Sequence, residues 1–212
     1  MKLSRLKKRK GFTLIELIVV LAIIGVLAAI LIPTLIGYVQ NSRVSSANSI
    51  AGELRKNINY FFTEADVSGY GMKIGQGMDC EPTITILNGV WTLQMNSTNL
   101  AGMFRNSRSY TWTGNGTGQT GLPLTNISAD ELLAISLANL FPEVENGYMT
   151  FRLESGKCMA LYYTADTTAA PASAPTFGPG GWSTNVFSWD GFSQGVTADG
   201  YVVGTAPILQ FG

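Results

Sequence analysis

The chain has 212 residues, a length that suits one or two domains. It is 46% apolar and 13% charged, with 24 Gly and no His, which excludes a disordered chain and any catalysis built on a histidine base. A formal net charge of zero hides an asymmetry: six of the 14 basic residues lie in the first ten positions, and from Gly11 onward eight basic residues face 14 acidic ones, a net charge of −6. No specific nucleic-acid partner is expected of so acidic a body.

The first element is an apolar run. Leu17 to Tyr38 carries no charged residue, and Thr34 is its one small polar side chain. About 20 apolar residues at ~1.5 Å rise cross a hydrocarbon core of roughly 30 Å. The basic cluster Lys2, Arg5, Lys7, Lys8, Arg9 and Lys10 ahead of it is expected to stay in the cytoplasm, with the C-terminal bulk outside and a single pass between. A secretory signal peptide is the rival reading. Val26 and Ala28 supply small residues before a conceivable cut, but Ala29-Ile30-Leu31-Ile32 carries the apolar run past it.

Near the start of the run stands one acid, Glu16. A carboxylate in hydrocarbon costs about 2.5 to 3.5 kcal/mol even on the lenient insertion scale. Thr13-x-x-Glu16 fits a capping box, and an acid in the first helical turn is favoured by the helix dipole. Gly25 and Pro33 are the helix-weakening residues, and Pro33 removes one backbone hydrogen bond.

The helix is expected to continue beyond the membrane. Ala47, Ile50, Ala51, Leu54, Ile58, Phe61, Phe62 and Ala65 recur at three- and four-residue spacing, one apolar stripe on a polar helix. A single helix over 12–66, with a membrane half at 12–39 and an amphipathic half at 40–66, would be roughly 80 Å long. Ser-Gly-Tyr-Gly at 68–71 ends it. Strands and turns follow: Thr83 to Leu87 and Val90 to Met95 flank Asn88-Gly89 as a hairpin. Ser128-x-x-Glu131 opens a short helix through Leu140, closed by Phe141-Pro142. Tyr148 to Leu153 and Lys157 to Thr164 form a second hairpin around Ser155-Gly156. Ala165 to Gly181, rich in Ala, Pro, Thr and Gly, reads as a long surface loop or partial linker, and the last strands are expected near Val186 to Trp189 and Tyr201 to Val203. The fold class is α+β, a long N-terminal helix packed on a β-rich head over 67–212.

Lys10-Gly11-Phe12-Thr13-Leu14-Ile15-Glu16 and the apolar run behind it resemble the N-terminus of the type IV prepilin family, which includes the pseudopilins of type II secretion. The resemblance covers about the first 55 residues. It implies that 1–11 is a leader, that a prepilin peptidase cuts after Gly11, and that the new N-terminal amine on Phe12 is methylated. It also implies that Glu16 pairs with that ammonium on a neighbouring subunit during assembly, and that the helix around Gly25 and Pro33 loosens as subunits pack; an ordinary proline kink is the alternative. The implied function is a structural pilin of a type IV pilus or pilus-like filament. The partners are itself and other pilins, the peptidase, an assembly platform with its ATPase, and the membrane before assembly. Localisation runs from the cytoplasmic membrane to the cell surface. A secretion pseudopilin is the alternative, and a membrane-anchored binding protein or enzyme is the third reading.

Little else suggests chemistry, so no enzyme activity, cofactor or metal is expected. Gly116-x-Gly118-x-x-Gly121 matches a dinucleotide pattern by letter but is followed by Leu122-Pro123 rather than a helix. Asp79, Glu81, Asp190 and Asp199 lack calcium-loop spacing. Cys80 and Cys158 are a candidate disulfide, since both fall in the extracytoplasmic head; two separate buried thiols are the other reading.

Overall fold

A computed structural model describes residues 11–67, 81–94, 129–154, 156–177, 187–188 and 195–207. Residues 1–10 of the leader, the Gly116–Gly121 stretch and Cys80 lie outside those residues. The chain resolves into two compact units, Met1–Asn41 and Ser42–Gly212.

Helix α1 runs from Leu14 to Val67 without a break, with Pro33 inside it. Its first part, through Asn41, is apolar and almost wholly exposed; from Leu14 to Val39 the large apolar side chains stand open. In the second unit the helix changes character. Ala47, Ala51, Leu54, Ile58 and Phe62 are buried, while Ile50 and Phe61 are partly buried against the same core. That is the expected stripe, save for Ala65, whose side chain lies outside the description. The three- and four-residue spacing places these groups on one face, and burying each large one stabilises the unit by roughly 1.5 to 3 kcal/mol.

The stripe packs on an antiparallel sheet. Strand β1 (Thr83–Leu87) and β2 (Val90–Gln94) are joined by Asn88-Gly89. Both turn residues have positive φ, 51° and 76°, as a two-residue hairpin turn of the primed kind requires. Helix α2 (Ala129–Leu140) buries Leu133, Ala134 and Leu137 and ends at Phe141, whose ring stacks on Trp91 with centroids 6.4 Å apart. Strands β3 (Gly147–Glu154) and β4 (Lys157–Thr164) form the second hairpin, followed by β5 (Thr176–Phe177), β6 (Phe187–Ser188) and β7 (Gly204–Ala206). The main sheet has the order β2-β1-β3-β4-β7, and β5-β6 form a small second sheet. The α+β expectation holds.

Alternation assigns the faces of the main sheet. Met149, Phe151 and Leu153 of β3 join Leu161 and Tyr163 of β4 beneath the helix. A register shift between Arg152 and Leu153 leaves Met159 without a partner, since Arg152 pairs Ala160 and Leu153 pairs Cys158. The bulge turns Cys158 to the helix side, where regular alternation would have set it on the opposite face beside Ala160. Arg55 Nε and Asn59 Nδ2 donate to the Cys158 carbonyl at 3.1 and 3.2 Å, and the Cys158 amide donates to Asn59 Oδ1 at 2.8 Å. The helix thereby supplies the hydrogen bonds that the bulged backbone needs.

Two expectations are corrected. The stretch after Thr164 is not a linker over its described part. Pro171 and Pro175 are buried, and Ala174 and Phe177 pack with Tyr162, Ala160 and Val203 on the outer sheet face. The last main-sheet strand is Gly204–Ala206, three residues later than expected; Val202 makes only an isolated bridge to Val196. Size explains the shift. Gly204 lies against the backbone of Ala47 and Asn48, an approach that bulky Tyr201 or Val203 would block.

The tyrosines set the alkaline limit of this core. Tyr163, 2% exposed, has its phenol pushed from 10.0 up to about 12, first by burial and then by Asp166 and Glu143. Burial also raises Tyr162. A raised phenol contributes stability that is full below pH 10.0 and is lost as pH climbs towards about 12, because the unfolded chain ionises first. Tyr163→Phe is expected to move the midpoint of alkaline unfolding to higher pH, read by far-ultraviolet circular dichroism against pH. An unmoved or lowered midpoint would refute this assignment.

Candidate assembly site

The sequence singles out the start of α1. Gly11 is exposed, and a Cβ built there meets nothing within 4 Å. Phe12 is 86% exposed. The cut expected between them therefore falls on an accessible peptide bond.

Thr13 caps the helix. The Thr13 amide donates to Glu16 Oε2 at 2.8 Å, the Thr13 hydroxyl donates to the same oxygen at 2.7 Å, and the Glu16 amide donates back to Thr13 Oγ1 at 3.3 Å. The Thr13 carbonyl accepts the first helical bond, from the Leu17 amide, at 3.3 Å. This reciprocal box satisfies amides that a helix start leaves open. Among the described residues, both bonds to the carboxylate fall on Oε2 and none on Oε1, so Oε1 can take a further donor. Capping and assembly are thus compatible uses of one side chain.

Further along, Gly25 has open space around it, and Pro33 sits inside an unbroken helix. A proline lacks the amide hydrogen that would reach the carbonyl four residues back, here that of Ala29. One residue on, Thr34 Oγ1 donates to the Leu31 carbonyl at 2.9 Å, a polar group satisfied within the helix as an apolar surround demands. By length and composition, α1 includes a span able to cross a membrane.

The head holds the remaining candidate. Cys158 is buried and, among the described residues, unbridged; its thiol is raised from 9.0 to about 12 chiefly by burial, with Arg55 opposing the rise. Its Sγ donates to the Ala160 carbonyl at 3.5 Å. A thiol so shielded is not a nucleophile at neutral pH. Its candidate partner Cys80 is outside the described residues. Among the described residues, no three potential metal ligands come together. Sequence reasoning missed Asn59 and Asn48, which bond to Cys158 and to the Thr205 amide; an amide side chain beside an apolar stripe was the only signal.

Comparison with known proteins bears on the same segment. Residues 6–32 match the family model of the prokaryotic N-terminal methylation motif. A fimbrial protein of Neisseria meningitidis serogroup B is 30% identical over 146 residues, covering 62% of this chain and 86% of that protein. The type IV major pilin protein PilE1 of Neisseria gonorrhoeae is 28% identical over 132 residues, 57% of this chain and 62% of that one. The type IV major fimbrial protein FimA of Dichelobacter nodosus is 54% identical over 50 residues, which cover 24% of this chain and 32% of FimA. No solved structure gives a significant match. An exposed apolar helix, a capped glutamate at its start, the methylation motif and a relative matched over most of its length place the chain in one family: it belongs to the type IV pilins, the structural subunits of fimbriae.

Proposed function

We propose that this pilin enters the cytoplasmic membrane as a precursor in a single pass, with its basic leader in the cytoplasm and its head outside. A prepilin peptidase cuts after Gly11 and methylates the amine of Phe12. The subunit then leaves the membrane for a surface filament through an assembly platform driven by an ATPase. Its partners in the filament are copies of itself and other pilins. Its role is structural, with no catalysis. The relatives' names favour a pilus over a secretion pseudopilus, since those proteins are called fimbrial proteins and type IV major pilins.

The observation that carries this reading is the geometry at Glu16. An acid that begins an exposed apolar helix keeps Oε1 open while Thr13 holds Oε2. Cutting at Gly11 creates an ammonium with a reference pKa near 8 on Phe12, and methylation retains its charge. A neighbouring copy's ammonium against Oε1 removes the penalty of a carboxylate among apolar helices. Loosening of the helix between Gly25 and Pro33 during packing belongs to the same proposal. In the head, an oxidised Cys80–Cys158 pair is a separate proposal, tested by the mass of the non-reduced protein.

Glu16→Ala is the direct test. Processing is expected to continue, while incorporation into filaments falls by about tenfold or more, as loss of a charge-assisted bond of roughly 1.5 to 3 kcal/mol implies. Sheared filaments are quantified against membrane-held subunit by immunoblot. Normal filament yield from Glu16→Ala would refute charge pairing.

A further inference from the structure

Two Asn-Gly pairs meet at one end of the sheet, Asn88-Gly89 in the β1–β2 turn and Asn146-Gly147 at the start of β3. The Asn88 amide donates to Asn146 Oδ1 at 3.3 Å, and the Gly89 amide donates to the Glu145 carbonyl at 2.8 Å. Asn88 and Gly89 are exposed, and nothing lies within 4 Å of where a Gly89 Cβ would stand. Gly147 differs: it is buried, and a Cβ there would come 2.9 Å from the Thr164 carbonyl.

An asparagine followed by glycine carries its own reagent. The glycine nitrogen attacks the side-chain carboxamide carbon, forming a C–N bond and a five-membered succinimide. The carboxamide nitrogen leaves as ammonia, taking up the proton that the attacking amide gives up. Water then opens the ring at either carbonyl, giving aspartate or isoaspartate. Water is the only co-reactant, and nothing is oxidised or reduced.

We infer that Asn88 is a self-modification site, deamidating at a rate set by the strap Val144–Asn146. The attacking nitrogen belongs to Gly89, and its hydrogen is committed to the Glu145 carbonyl. That bond must open before the attack, so the fold slows the reaction without abolishing it. Asn146 is the protected member of the pair. Its glycine, Gly147, is packed into the sheet and paired with Ile86, so its nitrogen is held away from the Asn146 carboxamide carbon.

The products differ in consequence. Aspartate tolerates the positive φ of residue 88 and keeps the turn, while adding a negative charge beside exposed Glu143 and Glu145. Isoaspartate inserts a methylene into the backbone of a two-residue turn and breaks the Leu87–Val90 register. An ageing subunit would thus become more acidic, or lose its hairpin, at an exposed corner of the head.

The test uses the full chain in detergent micelles, held in mildly alkaline buffer with or without urea and followed by peptide mass mapping. In the folded chain, amide-to-acid conversion is expected at Asn88 ahead of Asn146. The Asn88 rate should be about two- to tenfold below that in urea, the factor one hydrogen bond supplies. Asn146→Ala is expected to raise the folded-state Asn88 rate about twofold or more, by freeing the strap. Conversion at Asn146 first, or equal Asn88 rates with and without urea, would overturn the inference. If Asn146→Ala fails to fold, the two wild-type comparisons still decide it.

Discussion

Gly204→Ala is expected to cost the head about 3 kcal/mol, the upper range for forcing an extra methyl into a packed site, and to lower its Tm by about 10 °C. The added Cβ would fall on the carbonyl of Ala47 and 2.6 Å from the Asn48 amide nitrogen. These are backbone atoms of α1, so no side chain can rotate aside. Helix and strand would have to separate, and the bond from the Thr205 amide to Asn48 Oδ1, 2.8 Å long, would go with them. The fall of Gly195 against Val44, where a Cβ would approach to 2.6 Å, puts a second tight contact nearby. Gly52→Ala is the control. Gly52 is exposed on α1 with nothing within 4 Å, so alanine is expected to stabilise it by up to about 1 kcal/mol. Thermal unfolding of the three proteins in the same detergent checks both signs.

Gly11→Leu is expected to reduce maturation to background. Gly11, the residue before the proposed cut, has no side chain, and the peptide bond after it is exposed. A peptidase that needs a small residue there would reject an isobutyl group, so the uncut precursor should accumulate in the membrane as a slower band, with no filament. Normal processing of Gly11→Leu would move the cut elsewhere and remove the free amine from Phe12, and with it the partner proposed for Glu16.

What the sequence made legible follows from the physics it encodes. The apolar run and the spacing from Ala47 to Phe62 foretold α1, because a helix buries groups every three or four residues whatever the sheet beneath. Asn88-Gly89 foretold its hairpin, because only residues tolerant of positive φ make that turn. Glu16 stood out because an acid in an apolar run needs a partner. Other features depended on contacts distant in sequence. Gly204-Thr205-Ala206 has no strand signature; β7 forms there because small residues let it lie against the helix. The Met159 bulge is invisible in a run of β-formers, yet it decides which face Cys158 occupies. The Pro-rich stretch after Thr164 reads by composition as a surface loop or partial linker, but Ala174 and Phe177 pack on the outer face and Pro171 and Pro175 are buried.

The central claim, that this chain becomes a filament subunit by exposing a charged Phe12 to the Glu16 of its neighbour, is tested most directly at the mature N-terminus. Filaments sheared from the surface of the source cell would be analysed by mass spectrometry of their N-terminal peptides. The account predicts that this chain is present and begins at Phe12 with a methylated amine. A filament lacking the chain, or a chain that retains its leader or starts at another residue, would contradict it.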